Sequence, residues 1–162
     1  MLTKPQILEA LIELMDPEIP TISLVDLGII TGIEINEIND VSVTLTPTFS
    51  GCPALQVMED LVRAKVQTLK GVGKVKVETS FDIQWNSDMI TDHGRQMLLK
   101  HGLAPPPKHH GYIELDILSD VACPQCGSRN TDIRSPFGPT LCRSLHYCKN
   151  CLQGFEQFKP VA

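Results

Sequence analysis

Two pairs of cysteines near one end of the chain constrain its folding more than any other feature: Cys123-Pro124-Gln125-Cys126-Gly127 and Cys148-Lys149-Asn150-Cys151. Two thiolates two residues apart on a tight turn can reach one ion, and a glycine after the second relieves the backbone there. The spacing C-x2-C-x21-C-x2-C fits a four-cysteine zinc ribbon, with Cys123, Cys126, Cys148 and Cys151 as ligands. A ribbon so short cannot stand on hydrophobic burial alone, so metal binding and folding should be one event. Zinc is the expected structural metal, although four sulfurs also suit a single iron or an iron–sulfur cluster. A redox-active pair of the thioredoxin type would need to open a helix in a βαβ setting. The second knuckle has Leu152 where the first has Gly127, so its turn must be relieved in some other way.

Cys142 and His146 exceed what one tetrahedral ion can use. Cys142 reads either as a small buried hydrophobe or as an extra ligand that replaces a knuckle cysteine or binds iron transiently. His146 reads as a residue near the site or on the surface rather than a ligand. Phe137, Leu145, Tyr147, Phe155 and Phe158 either present a docking surface or fill the ribbon's own small core.

The 162 residues are 42% hydrophobic and 20% charged, enough for one full core or two small ones. Lys and Arg number 14 against 19 Asp and Glu, for a net charge of −5, which argues against nucleic-acid backbone as the main partner. No apolar run approaches the ~18–20 residues of a membrane helix, and Met1–Gln6 leads into a helical pattern rather than a signal-peptide core. A cytoplasmic protein is expected, in which six cysteines are metal ligands or reactive thiols rather than disulfides. The proline run Pro105-Pro106-Pro107 suggests the organisation: an acidic domain 1–104, a linker 105–112 and the ribbon 113–162.

In the acidic domain, Thr3 and Pro5 open a helix whose apolar residues from Ile7 to Met15 recur at helical spacing, and it should end at Asp16-Pro17. Gly28–Asn36 and Val41–Pro47 alternate apolar and polar residues around Asn39-Asp40, as in an antiparallel hairpin. Helical spacing returns over Pro53–Leu69, Val75–Thr79 suggests a third strand, and Thr91–His101 a last helix ended by Gly102. The fold class is α+β: a small αββαβα domain with a mixed or antiparallel sheet packed by helices, then the ribbon.

Cys52 stands alone between the second strand and the second helix, which makes it the expected N-cap, where unpaired N–H groups and the helix dipole favour thiolate. The bland reading is a buried inert cysteine. Asp16, Glu18 and Asp26 lie in a loop stiffened by Pro17 and Pro20; they could cap local structure or bind a hard cation. The chain shows no phosphate loop, no nucleophile with a recognisable base and no dinucleotide fingerprint.

Asp16-Pro17-Glu18-Ile19-Pro20, Leu24-Val25-Asp26-Leu27-Gly28 and Thr46-Pro47-Thr48-Phe49-Ser50-Gly51-Cys52-Pro53-Ala54 resemble the small iron–sulfur-assembly domain family. With Trp85-Asn86-Ser87-Asp88-Met89-Ile90-Thr91, Gly102-Leu103-Ala104-Pro105-Pro106 and the tail from Cys123 to Lys159, the likeness narrows to the D components of phenylacetyl-CoA epoxidase (ring-1,2-oxygenase) systems. The resemblance implies an accessory role in aerobic phenylacetate catabolism: assisting assembly of an iron or iron–sulfur centre rather than turning over substrate. It matches Cys52 to the family's reactive cysteine and Asp16 and Glu18 to its acidic motif. The implied partners are the oxygenase's catalytic and reductase subunits or iron–sulfur assembly proteins. One thiolate per chain is too few for a stable cluster, so a homodimer or a client complex is expected.

Overall fold

Thr3 precedes the first helix, and Gln6 Oε1 accepts from its N–H at 2.9 Å, which starts α1 at Lys4 and lets Ile7 and Leu11 point inward. In the computed structural model, which describes residues 1–162, α1 spans Lys4–Leu11 and stops short of the expected end at Asp16-Pro17. Leu14 to Asp16 turn away instead and bond across the following loop: the N–H of Leu24 donates to the Leu14 carbonyl and that of Asp16 to the Ile22 carbonyl. A residue ahead of proline resists helical geometry, so Asp16 is better placed in that bridge than in a helix.

The hairpin forms as the alternation predicts. Strands β1 (Ile30–Ile35) and β2 (Val41–Leu45) pair antiparallel, and the β2 side chains alternate between buried and half-buried. Helix α2 (Leu55–Gln67) follows, and β3 (Val75–Thr79) returns parallel to β2, giving a three-stranded mixed sheet in the order β1-β2-β3. The helix buries Met58, Val62 and Val66, and α2 packs on both β3 and α1. Gly73 is required at the entry to β3: a Cβ there would lie 2.3 Å from Asp40 Oδ1, the atom that accepts the Lys74 N–H. Trp85, 3% exposed, closes this unit by donating its indole N–H to the Leu27 carbonyl at 3.0 Å.

The chain divides into two compact units, Met1–Trp85 and Asn86–Ala162, a boundary well ahead of the proline run. In the second unit Thr91 Oγ1 caps α3 (Asp92–His101) by accepting from Gly94 N–H, and Gly102 ends it in left-handed geometry, as the sequence suggested. Then come β4 (Leu103–Ala104), a short α4 (Leu115–Ser119), and β5 (Thr131–Ser135), β6 (Arg143–Cys148) and β7 (Gly154–Phe158). The sheet order is β4-β7-β6-β5, so the segment just after α3 is a strand of the ribbon's own sheet.

That pairing is why residues 86–104 belong with the ribbon and why 105–112 is not a loose linker. Arg95 donates to the Pro106 and Ser87 carbonyls, and Pro106 and His109 are buried. His109 Nδ1 accepts from Gly111 N–H, so Nε2 carries the ring proton and donates to the Val161 carbonyl at 2.7 Å. Ser87 bonds Val161 through both its backbone and its hydroxyl, fastening the end of the chain.

Candidate functional site

The four knuckle cysteines converge. Their sulfurs all lie within 4.8 Å of one another, with Cys123–Cys151 at 3.7 Å and Cys126–Cys148 at 3.6 Å. Zinc with four thiolates at about 2.3 Å needs sulfurs about 3.8 Å apart, so the donor set fits one tetrahedral ion without rebuilding. Backbone turns create the convergence: Gly127 N–H returns to the Cys123 carbonyl at 2.9 Å and Cys148 N–H donates to the Gln153 carbonyl at 2.9 Å. Cys123 and Cys148 are buried against Ala104, Val121 and Phe155, so the sulfurs sit at the edge of the unit's apolar core.

The thiols differ in acidity. The backbone of Ser128, the Asn150 amide and the neighbouring thiols lower Cys126 to about 6, while burial and its neighbours push Cys151 up to about 12. Four thiolates cannot share such a small volume unless a cation holds them together. The expected relief of the second knuckle is absent: Leu152 takes φ +60°, the left-handed conformation that Gly127 takes at φ +75°.

Cys142 stands apart from the four sulfurs. It precedes β6 while Cys148 ends it, a separation of about 20 Å along a strand at roughly 3.3 Å per residue. Its sulfur lies 3.1 Å from Thr140 Oγ1. That separation keeps Cys142 from serving as an extra ligand of the ion between the knuckles. His146 is buried rather than superficial; it stacks on Phe155 at 5.3 Å, its Nε2 meets Ser144 Oγ, and burial lowers its pKa against a raising effect of Gln157. Phe155 and Phe158 fill the core, Phe137 is 66% exposed, and Leu145 and Tyr147 are partly covered.

Cys52 is half-buried rather than exposed and is not the N-cap of α2. That position belongs to Ala54, because the turn 52–55 consumes the Cys52 carbonyl, which accepts from Leu55 N–H at 3.4 Å. The acidic loop is put to structural use: Asp16 Oδ1 accepts from the N–H groups of Glu18 and Ile19, both at 2.8 Å, and Asp26 accepts from Ser23 Oγ at 2.9 Å. Asp16 and Asp26 are buried and Glu18 is exposed. The acidic loop and the Cys52 loop leave the sheet at the same end, because β1 begins where β2 stops. Thr46 N–H donates to the Ile29 carbonyl and the Thr31 and Thr46 hydroxyls meet at 2.8 Å.

Sequence reasoning missed the polar fastening in which half-buried Asp88 and Arg95 meet buried Ser87 and His109. Its one local sign was the Asn86-Ser87-Asp88 turn, in which Asn86 Oδ1 accepts from Asp88 N–H.

Residues 4–78 match the family described as iron–sulfur cluster assembly protein, and residues 114–159 match the PaaD zinc beta ribbon domain. Fold and site together define the class, an iron–sulfur-assembly domain joined to a four-cysteine ribbon. An Escherichia coli protein, provisionally named as the D component of 1,2-phenylacetyl-CoA epoxidase, is 34% identical over 92% of this chain and 88% of its own length. The chain belongs to that family of epoxidase D components. A Porphyromonas gingivalis Fe-S protein maturation auxiliary factor is 38% identical over 56% of the chain and 85% of its own. The crystal structure of a domain of unknown function from Bacillus anthracis, 22% identical, shares the fold with a TM-score of 0.56 over 59% of this chain and 90% of that one.

Proposed function

We propose that this protein is an accessory factor of a phenylacetyl-CoA epoxidase system that helps assemble the oxygenase's iron or iron–sulfur centre, and that it does not itself turn over the organic substrate. The observation that carries the reading is the union, in one family-matched chain, of the assembly domain with Cys52 in its loop and a separate four-sulfur site. Two kinds of metal site suit two roles. The ribbon cysteines would hold zinc, which crosslinks strands that bury too little to fold alone. Iron is cargo: a single thiolate at Cys52 binds it weakly enough to release it by ligand exchange to a client's own ligands, with no change of oxidation state.

Asp16, Glu18 and Asp26 would support that loop, Asp16 and Asp26 by holding its neighbour rigid and Glu18 through its exposed carboxylate. The partners are the oxygenase's catalytic and reductase subunits or iron–sulfur assembly proteins, and a second copy of the chain could supply a second thiolate. No helix is long and apolar enough to cross a membrane, which suits a cytoplasmic setting. A second reading, a structural component of the oxygenase with an inert Cys52, draws support from the half-burial of that residue.

Replacing Cys52 by Ser in the co-expressed system separates the two readings. Assembly predicts that the oxygenase complex still forms while its iron content and epoxidation rate fall. Unchanged iron and unchanged rate would sink the assembly reading and leave the structural one.

A further inference from the structure

The end of the β1-β2-β3 sheet from which the Cys52 loop leaves also carries apolar side chains that the fold does not use. Strands β2 and β3 run parallel and stop together, with Leu45 paired to Thr79, so the segment after β3 starts at that end. It is pinned twice: Ser80 N–H donates to the Leu45 carbonyl at 2.9 Å, and the Trp85 indole N–H donates to the Leu27 carbonyl, just ahead of β1. Because β2 lies between β3 and β1, residues 80–85 must pass the end of β2, where the 46–54 loop begins. Between the two pins residues 81–84 are all exposed, Phe81 by 59% and Ile83 by 51%.

A single exposed apolar side chain needs no explanation, but an aromatic and an aliphatic one on a segment fastened at both ends are anchors whose ordering cost is already met. Charge then selects what can cover them. No Lys or Arg occurs between Lys4 and Arg63, or between Lys76 and Arg95, and those stretches contain the acidic loop, the Cys52 loop and residues 80–85. The charges these segments bring are all negative. Asp82 is exposed between Phe81 and Ile83, and Glu18 is exposed on the acidic loop. Half-buried Glu59 accepts from Thr79 Oγ1 at 2.5 Å where β3 ends. A second copy of the chain, or an anionic membrane, would set negative against negative, whereas a segment with Lys or Arg beside apolar residues is matched in both respects.

We infer that this end of the sheet is where the client protein docks: apolar side chains of a basic client segment pack on Phe81 and Ile83 while its Lys or Arg residues face Asp82 and Glu18. Docking there brings the client's own iron ligands to the Cys52 loop. The inference takes its client from the assembly reading, but the docking does not require the Cys52 thiol.

The test titrates purified oxygenase subunits, catalytic and reductase, against the immobilised, zinc-loaded full chain. One of them should bind, and more weakly as salt rises. Phe81→Ser combined with Ile83→Ser should weaken that binding at least about tenfold, and Asp82→Lys should weaken it by a factor that shrinks with salt. All three side chains are exposed, so guanidinium midpoints should stay near wild type. Ile38→Ser, at a residue 72% exposed in the hairpin turn at the other end of the sheet, should change nothing. Cys52→Ser should bind like wild type yet lower the iron content of the co-expressed oxygenase; unchanged iron there sinks the assembly reading and leaves the docking surface standing. The docking surface itself is overturned by a Phe81 and Ile83 variant that binds like wild type, by an equal loss in the Ile38 variant, or by binding of neither subunit. It is also overturned by a wild-type dimer that the Phe81 and Ile83 variant converts to monomer, which would assign the patch to a second copy.

Discussion

Gly127 and Leu152 occupy the same place in their knuckles, one residue past the second cysteine, and share left-handed backbone geometry at φ +75° and φ +60°. Glycine adopts that conformation freely, whereas a residue with a Cβ is penalised by roughly 1–2 kcal/mol. Leu152 is 66% exposed, so little packing compensates. Leu152→Gly should therefore stabilise the zinc-loaded protein, by about 1 kcal/mol or less once the extra freedom of glycine in the unfolded chain is counted. Gly127→Ala should destabilise it. Guanidinium midpoints of the two variants, which should move in opposite directions, check the pair.

Metal removal should act on one unit only. Chelation, or Cys126→Ser, takes away the ion that joins the two knuckles, and amide-exchange protection over residues 121–158 should collapse while that of Met1–Trp85 persists. Cys142→Ser should leave metal stoichiometry unchanged, because Cys142 lies outside the sulfur cluster. Loss of one zinc equivalent in the Cys142 variant would show that Cys142 is itself a ligand.

The sequence made the hairpin, α3 with its Thr91 and Gly102 ends, and the four ligands legible because each depends on neighbours within a few residues. Alternation sets which face of β2 is buried, and C-x-x-C is a local turn. What depended on distant partners was not legible. The end of α1 is decided by Leu24, ten residues beyond Leu14, and the domain boundary by the pairing of Leu103–Ala104 with Glu156–Gln157. Three prolines looked like a free connector, yet Arg95 and His109 draw that stretch into the second unit. Cys52 lies two residues ahead of the helix cap, a shift that the turn 52–55 creates and no propensity announces.

The fastening around Asp88 should depend on acid. Burial alone would raise the Asp88 pKa, but the N–H groups of His109 and His110, bonded at 3.0 and 2.7 Å, and the histidine charges outweigh it, so the value falls below the ordinary 3.8. A carboxylate depressed on folding contributes stability that is present above its unfolded pKa and is lost as pH falls through the folded one. The Asp88 side chain is 23% exposed, so water screens part of the interaction and the contribution is modest. Exchange protection near His109 should thus weaken below about pH 4. Asp88→Asn should remove that acid sensitivity, and a wild-type profile that stays flat to pH 2 would refute it.

Asp16 decides between scaffold and chemistry in the acidic loop. Its Oδ1 accepts two backbone N–H groups at 2.8 Å, and the residue is 8% exposed. Asp16→Ala leaves both donors unsatisfied, one of them on buried Ile19, and should cost about 2 kcal/mol. Asp16→Asn keeps an acceptor oxygen in the same place and should cost less than half as much. If Asp16 serves only to shape the loop beside Cys52, iron delivery should follow stability, falling in the Ala variant and surviving in the Asn variant. If its charge takes part in handling iron, the Asn variant should keep its denaturation midpoint and lose delivery. Guanidinium melts run alongside the iron content of the co-expressed oxygenase separate these outcomes, because only a chemical role for the carboxylate uncouples delivery from stability.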